Sequence, residues 1–84
     1  MAPNGTNTVG REAYKKFRER LAAERKAANL TQHDLAVKLK RPQSFVSKYE
    51  RGERRLDVVE FGEVANALGI DPIRFLRRFY DEET

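Results

Sequence analysis

The sequence predicts an all-α domain of five helices, and three observations carry that prediction. Apolar residues recur at helical spacings of three and four along most of the chain. Helix-start residues stand before those stripes at Thr31, Asp57 and Asp71-Pro72, and helix-stop residues follow them at Asn29, Gly52 and Gly69. Between Leu30 and Gly52 two short amphipathic segments meet at an abrupt break, Lys40-Arg41-Pro42. Proline bars Arg41 from the helical region and suits a first helical position, so the chain stops there and restarts. Two helices joined by about three residues make a helix-turn-helix, whose second helix belongs in a DNA major groove.

Composition narrows the function classes. Eighty-four residues make one small domain with little stability in reserve. Apolar residues make up 39% and charged residues 36%, as expected of a globular but highly charged chain. The absence of cysteine excludes disulfides and thiolate metal sites, and a single histidine, His33, cannot form a metal site alone. No cofactor, metal or small-molecule ligand is therefore expected, and no nucleophile–base pair can be assembled for an enzyme. No apolar run approaches the ~18 residues of a membrane span. Residues 1–8 lack both the basic and the apolar region of a signal peptide, so the expected location is cytoplasmic, beside the nucleoid.

Charge is unevenly placed. Residues 1–29 and residues 30–56 each carry seven basic and three acidic side chains, whereas residues 57–84 carry three basic and seven acidic. The basic two thirds attract a polyanion, and duplex DNA is the commonest in a cytoplasm. Charge alone is equally compatible with ordinary solvated helix faces.

The elements follow in order. Residues 1–8 are polar, contain Pro3 and Gly5, and are expected to form a flexible arm; residues 9–80 form the DNA-binding domain and 81–84 an acidic tail. Helix 1 starts between Thr8 and Gly10 and runs to about Ala28, with Tyr14, Phe17, Leu21 and Ala28 inward. Arg25 falls on the buried side of this stripe and needs a partner. Helix 2 starts at the Thr31 cap, with Asp34 completing a capping-box pattern and Leu35, Ala36 and Leu39 inward. Gln32 occupies its first turn, where outward N–H groups favour a phosphate. Helix 3 runs from Pro42 to about Arg51. With Phe45, Val46 and Tyr49 inward, Gln43, Ser44, Ser47 and Lys48 point out, side chains able to read base edges. Lys40 and Arg41 before helix 3, Arg51 at its end, and Arg54 and Arg55 in the loop after it are placed to touch the sugar-phosphate backbone. Helix 4, Asp57 to Leu68, buries Phe61, Val64, Ala65 and Leu68; Gly62 in its interior implies close packing or simple drift. Helix 5 opens at Asp71-Pro72. Its Ile73, Phe75, Leu76, Phe79 and Tyr80 cover more than one face, so a second copy of the chain is the expected partner.

From Leu21 to about Leu76 the chain resembles the Xre family of helix-turn-helix regulators, which includes the DNA-binding domains of lambdoid phage repressors and Cro. The likeness rests on Leu30-Thr31-Gln32, Leu35-Ala36, Val46-Ser47, Tyr49-Glu50-Arg51-Gly52, the Phe61-to-Leu68 stripe and Gly69-Ile70. It implies a lambda-repressor-like fold with the helix-turn-helix at helices 2 and 3. It also implies an ion pair between Arg25 and Glu50, a phosphate contact for Gln32, and base contacts from early helix 3. One departure is plain: Lys40 stands where the family commonly has glycine, a residue that enters the left-handed region freely.

The resulting expectation is a sequence-specific, double-stranded DNA-binding transcriptional regulator. It would act as a homodimeric repressor on a pseudopalindromic operator, with half-sites about one turn, ~34 Å, apart. The alternative is an antitoxin-like protein-interaction module in which helix 5 and the acidic third dock a protein partner and DNA binding is secondary.

Overall fold

Capping chemistry sets most of the helix boundaries. The computed structural model describes residues 3–83, with side chains from Gly10 to Glu82. Five helices occupy them: α1 Pro3–Ala27, α2 Gln32–Leu39, α3 Gln43–Arg51, α4 Val58–Leu68 and α5 Pro72–Glu83. Thr31 and Asp57 close reciprocal capping boxes with Asp34 and Glu60, and the Asp71 carboxylate accepts from the N–H groups of Ile73 and Arg74.

The far ends of α1 to α4 share one solution. After each helix a single residue turns left-handed, at Asn29, Lys40, Gly52 and Gly69. The next N–H then reaches back to a carbonyl of the last turn: Leu30 to Arg25, Arg41 to Ala36, Glu53 to Lys48 and Ile70 to Ala65. This is the paired hydrogen bonding of the Schellman motif, which satisfies carbonyls the helix leaves orphaned.

Several boundaries differ from the sequence reading. Helix α1 begins at Pro3 rather than near Thr8, so the helix is continuous through most of the segment expected as an arm; residues 1 and 2 lie outside the described residues. Ala28 falls just past the end of α1 and is exposed, so it leaves the apolar stripe. Pro42 caps α3 instead of opening it, because its ψ of 152° is extended rather than helical. Helix α5 continues to Glu83, three residues into the expected tail, of which Thr84 is not described.

The core lies where all five helices meet. Leu21, Leu35, Val46, Tyr49 and Val64 are sealed from solvent, and Phe45, Phe61, Leu68 and Phe75 join them. Burying each such side chain contributes on the order of 1.5–3 kcal/mol. Phe17 ties α1 to the C-terminal helices, its ring centre 5.4 Å from Phe61, 5.9 Å from Phe75 and 5.7 Å from Phe79. Gly62 is not closely packed, since a Cβ there would meet nothing within 4 Å.

A polar strut fixes α3 against α1. The Arg25 guanidinium, 8% exposed, donates from Nε to Glu50 Oε2 at 2.8 Å and from Nη2 to Oε1 at 3.0 Å. Its Nη1 donates to the Leu30 carbonyl at 2.8 Å, so the fork is fully engaged. Hydrogen bonding to Glu50 pushes the Arg25 pKa up despite burial. Arg18 donates to the Glu50 carbonyl at 2.7 Å and lies over Gly52, where a Cβ would come within 2.9 Å of its side chain. Gly52 is favoured by its φ of +81°, whereas the Arg18 side chain could shift to admit a Cβ.

Candidate nucleic-acid interface

The helix-turn-helix is built around Lys40. This residue takes φ 57° and ψ 42°, the left-handed conformation a glycine would adopt, at a cost of ~1–2 kcal/mol for a residue with a Cβ. The resulting turn brings α3 across α2. Helix α3 buries Phe45, Val46 and Tyr49, with Phe45 and Tyr49 rings packed edge to face at 5.7 Å. The Tyr49 hydroxyl is buried without a partner among the described residues, and desolvation drives its pKa well up.

On the opposite side of α3, Gln43, Ser44 and Lys48 are exposed, and none has a recorded hydrogen bond or ion pair among the described residues. Ser47 is half-buried, and its Oγ accepts from Arg51 Nη1 at 2.6 Å. These are the four side chains expected at base edges. Three of them present unengaged polar groups along one face, and the fourth is partly covered by its neighbour.

Residues expected on the DNA backbone border that face, and most are already held. Gln32, the first residue of α2, donates to Glu50 Oε1 at 2.9 Å and so joins the Arg25–Glu50 strut. Arg51 forks onto Glu53 at 2.9 and 3.0 Å. Arg54 forks onto Glu60 at 3.1 and 3.2 Å and lies 4.7 Å from the Phe45 ring centre. Arg41 reaches Glu63 at 3.1 Å and lies 4.5 Å from the same ring. Arg55 sits 4.3 Å over the Tyr14 ring, whose hydroxyl accepts from the Leu56 N–H at 2.9 Å. Lys40 is exposed, with no recorded partner among the described residues. Hydrogen bonds from Arg51 and Arg54 hold the Glu53 and Glu60 carboxyls below the usual range.

Sequence spacing missed the α4 acids and the Phe45 ring as shapers of this face. Glu60 also serves the α4 capping box, and Phe45 read as core, which its 8% exposure supports. The order of charges along residues 54–63, two arginines followed by Asp57, Glu60 and Glu63, was the available signal.

The five apolar candidates of α5 divide. Phe75 and Phe79 are buried in the chain's own core, at 9% and 5% exposure, and Leu76 packs against it, so these are not free for a second copy. Ile73 and Tyr80 are each 62% exposed. Tyr80 edges a shallow hollow of about 390 Å³ between α1, α4 and α5, whose rim also includes the exposed Val58. Among the described residues no cluster of three or more His, Asp or Glu could hold a metal ion, and no helix is long and apolar enough to cross a membrane.

An exposed polar helix bordered by cations, set by a tight turn on a five-helix core, defines a DNA-binding regulator of the helix-turn-helix class. The comparisons with known proteins agree. Residues 21–75 match the helix-turn-helix family model. The solved structure of an XRE-family like protein from Pseudomonas syringae pv. tomato str. DC3000 superposes with a TM-score of 0.91 at 43% identity, covering 94% of this chain and 96% of that one. No curated protein matches the chain. The chain belongs to the Xre family of helix-turn-helix regulators.

Proposed function

We propose that this regulator is a sequence-specific repressor that binds a pseudopalindromic operator as a homodimer. The observation that carries the reading is the face of α3. Gln43, Ser44 and Lys48 lie exposed and unengaged on the helix that the fold presents, between cationic side chains from the turn before it and the loop after it. Glutamine pairs with adenine, lysine with guanine and serine with either, whereas the flanking Lys40, Arg41, Arg51, Arg54 and Arg55 suit phosphates. Ile73 and Tyr80 offer the apolar area for a second copy, and two-fold pairing would place two α3 helices on successive turns of one duplex.

In vitro selection from random duplexes tests this directly. A palindromic consensus with half-sites about one helical turn, ~34 Å, apart is the expected outcome. Lys48→Ala is expected to relax one position of that consensus, while Arg54→Ala weakens every sequence alike and reduces the salt slope by about 1. Selection that yields no consensus, from a protein monomeric at all concentrations, would overturn the reading. The exposed apolar residues of α5 would then point to a protein partner.

A further inference from the structure

Arg54 differs from the other cations around α3 in how it is seated. Both Glu60 oxygens accept from it, Oε1 from Nη1 at 3.2 Å and Oε2 from Nη2 at 3.1 Å. The carboxylate is itself fixed, because Oε1 also accepts from the Asp57 N–H at 3.0 Å while the Glu60 N–H donates to Asp57 Oδ1 at 2.7 Å. The Glu60 side chain is only 14% exposed, against 38% for Arg54. The Phe45 ring completes the seat, 4.7 Å from the guanidinium carbon. A guanidinium has five N–H donors in a planar fork, and Glu60 takes one from each Nη, so the Nε–H and one Nη2–H remain together on one edge for another anion.

Arg41 and Glu63 form the contrasting case. They share one contact at 3.1 Å, and the Glu63 side chain is 50% exposed and fixed by nothing else recorded. Such a pair is easily exchanged for solvent or for a phosphate.

We propose that Glu60 is a positioning residue: anchored by the α4 capping box, it holds Arg54 against Phe45 so that the free edge of the guanidinium, its Nε–H and one Nη2–H, meets a DNA phosphate already oriented. The proposal rests on the reading of Arg54 as a backbone contact. Glu60 lowers the net positive charge of the interface yet raises affinity for DNA, since ordering an arginine side chain costs conformational entropy that the capping box has already met.

Charge and positioning predict opposite signs, which makes the proposal testable without knowing the operator. The probe is a labelled random-sequence duplex, because backbone contacts do not depend on sequence. Glu60→Gln keeps a residue suited to the capping box, and thermal melts confirm folding of each variant. Expected is weaker binding by Glu60→Gln, on the order of three- to tenfold, in the absence of any charge-based reason for it. Glu63→Gln, which removes the same charge from an unanchored side chain, is expected to bind slightly more tightly. In an Arg54→Ala background, Glu60→Gln should have no further effect on binding. Tighter binding by Glu60→Gln, or the same loss with and without Arg54, overturns the positioning role. If Arg54→Ala binds as the parent does, the backbone reading of Arg54 fails first and Glu60 falls with it. A parent protein that binds no duplex overturns both.

Discussion

Two arginine–glutamate forks in this molecule have nearly the same geometry and opposite settings. Arg25 meets Glu50 at 2.8 and 3.0 Å, and Arg51 meets Glu53 at 2.9 and 3.0 Å. The first joins side chains 10% and 8% exposed, the second side chains 56% and 53% exposed. Contact distance therefore says little about what each does. In the buried fork, the Leu30 carbonyl accepts from the remaining Arg25 nitrogen, Gln32 adds a second hydrogen bond to Glu50 Oε1, and α1, α2 and α3 are held in one register. In the exposed fork the partners are two residues apart, at the end of α3 and in the loop after it, so the pair constrains nothing distant, and water or a phosphate can replace either member.

The largest expected effect follows from breaking the buried fork. Glu50→Ala strands the Arg25 cation in the core and frees Gln32, which should cost ~3–5 kcal/mol. Urea denaturation should show a lower midpoint for Glu50→Ala and an unchanged one for Glu53→Ala. Equal midpoints would erase the distinction between the forks. Replacing both buried partners, Arg25→Met with Glu50→Leu, should recover most of the loss, because an apolar pair leaves no stranded charge.

The two forks were also unequally legible in the sequence. Arg25 on an apolar stripe announced a buried cation, yet helical spacing within α1 could not supply a partner 25 positions away; only the resemblance to phage repressors named Glu50. Local chemistry was readable where its partners lie within a few residues, as in the capping box at Thr31, the helix start at Asp57 and the helix end at Asn29. The α3 face was readable because its period assigns Phe45, Val46 and Tyr49 inward and Gln43, Ser44 and Lys48 outward. Arg41–Glu63 was not, since it joins the α2–α3 turn to α4 across 22 positions, and in Arg54–Glu60 the charge order along the loop into α4 was the only sign of the pair. Helix α5 misled for a related reason. A dense apolar pattern does not reveal that Phe17 of α1 provides ring contacts for both Phe75 and Phe79.

Backbone strain gives an intermediate effect and separates stability from recognition at the turn. Lys40 and Gly52 end α2 and α3 with the same left-handed cap, but only Lys40 carries a Cβ there. Lys40→Gly should stabilise the fold by about 1 kcal/mol, less whatever extra freedom glycine has when unfolded. The same change removes an exposed cation beside α3, so duplex affinity should fall while the melting temperature rises. A fall in both would mean that the lysine side chain, rather than its strained backbone, dominates the turn.

The exposed fork should show itself in titration rather than in stability. Hydrogen bonding from Arg51 holds the Glu53 carboxyl below its usual value of 4.5, and the Arg51 charge acts in the same direction. A depressed carboxylate contributes stability that is present above the unfolded pKa and is lost as pH falls through the folded one. At Glu53 that contribution is screened by solvent, so the parent and its Glu53→Ala variant should show the same dependence of the thermal midpoint on pH. Carbon-detected NMR of the Glu53 carboxyl should place its transition below that of an isolated glutamate. Arg51→Ala should return the transition towards 4.5, again with no change in melting. If Arg51→Ala instead lowers the melting temperature as Glu50→Ala does, exposure is not what separates the two forks. Arg51 would then be acting through its hydrogen bond to Ser47, inside α3 itself.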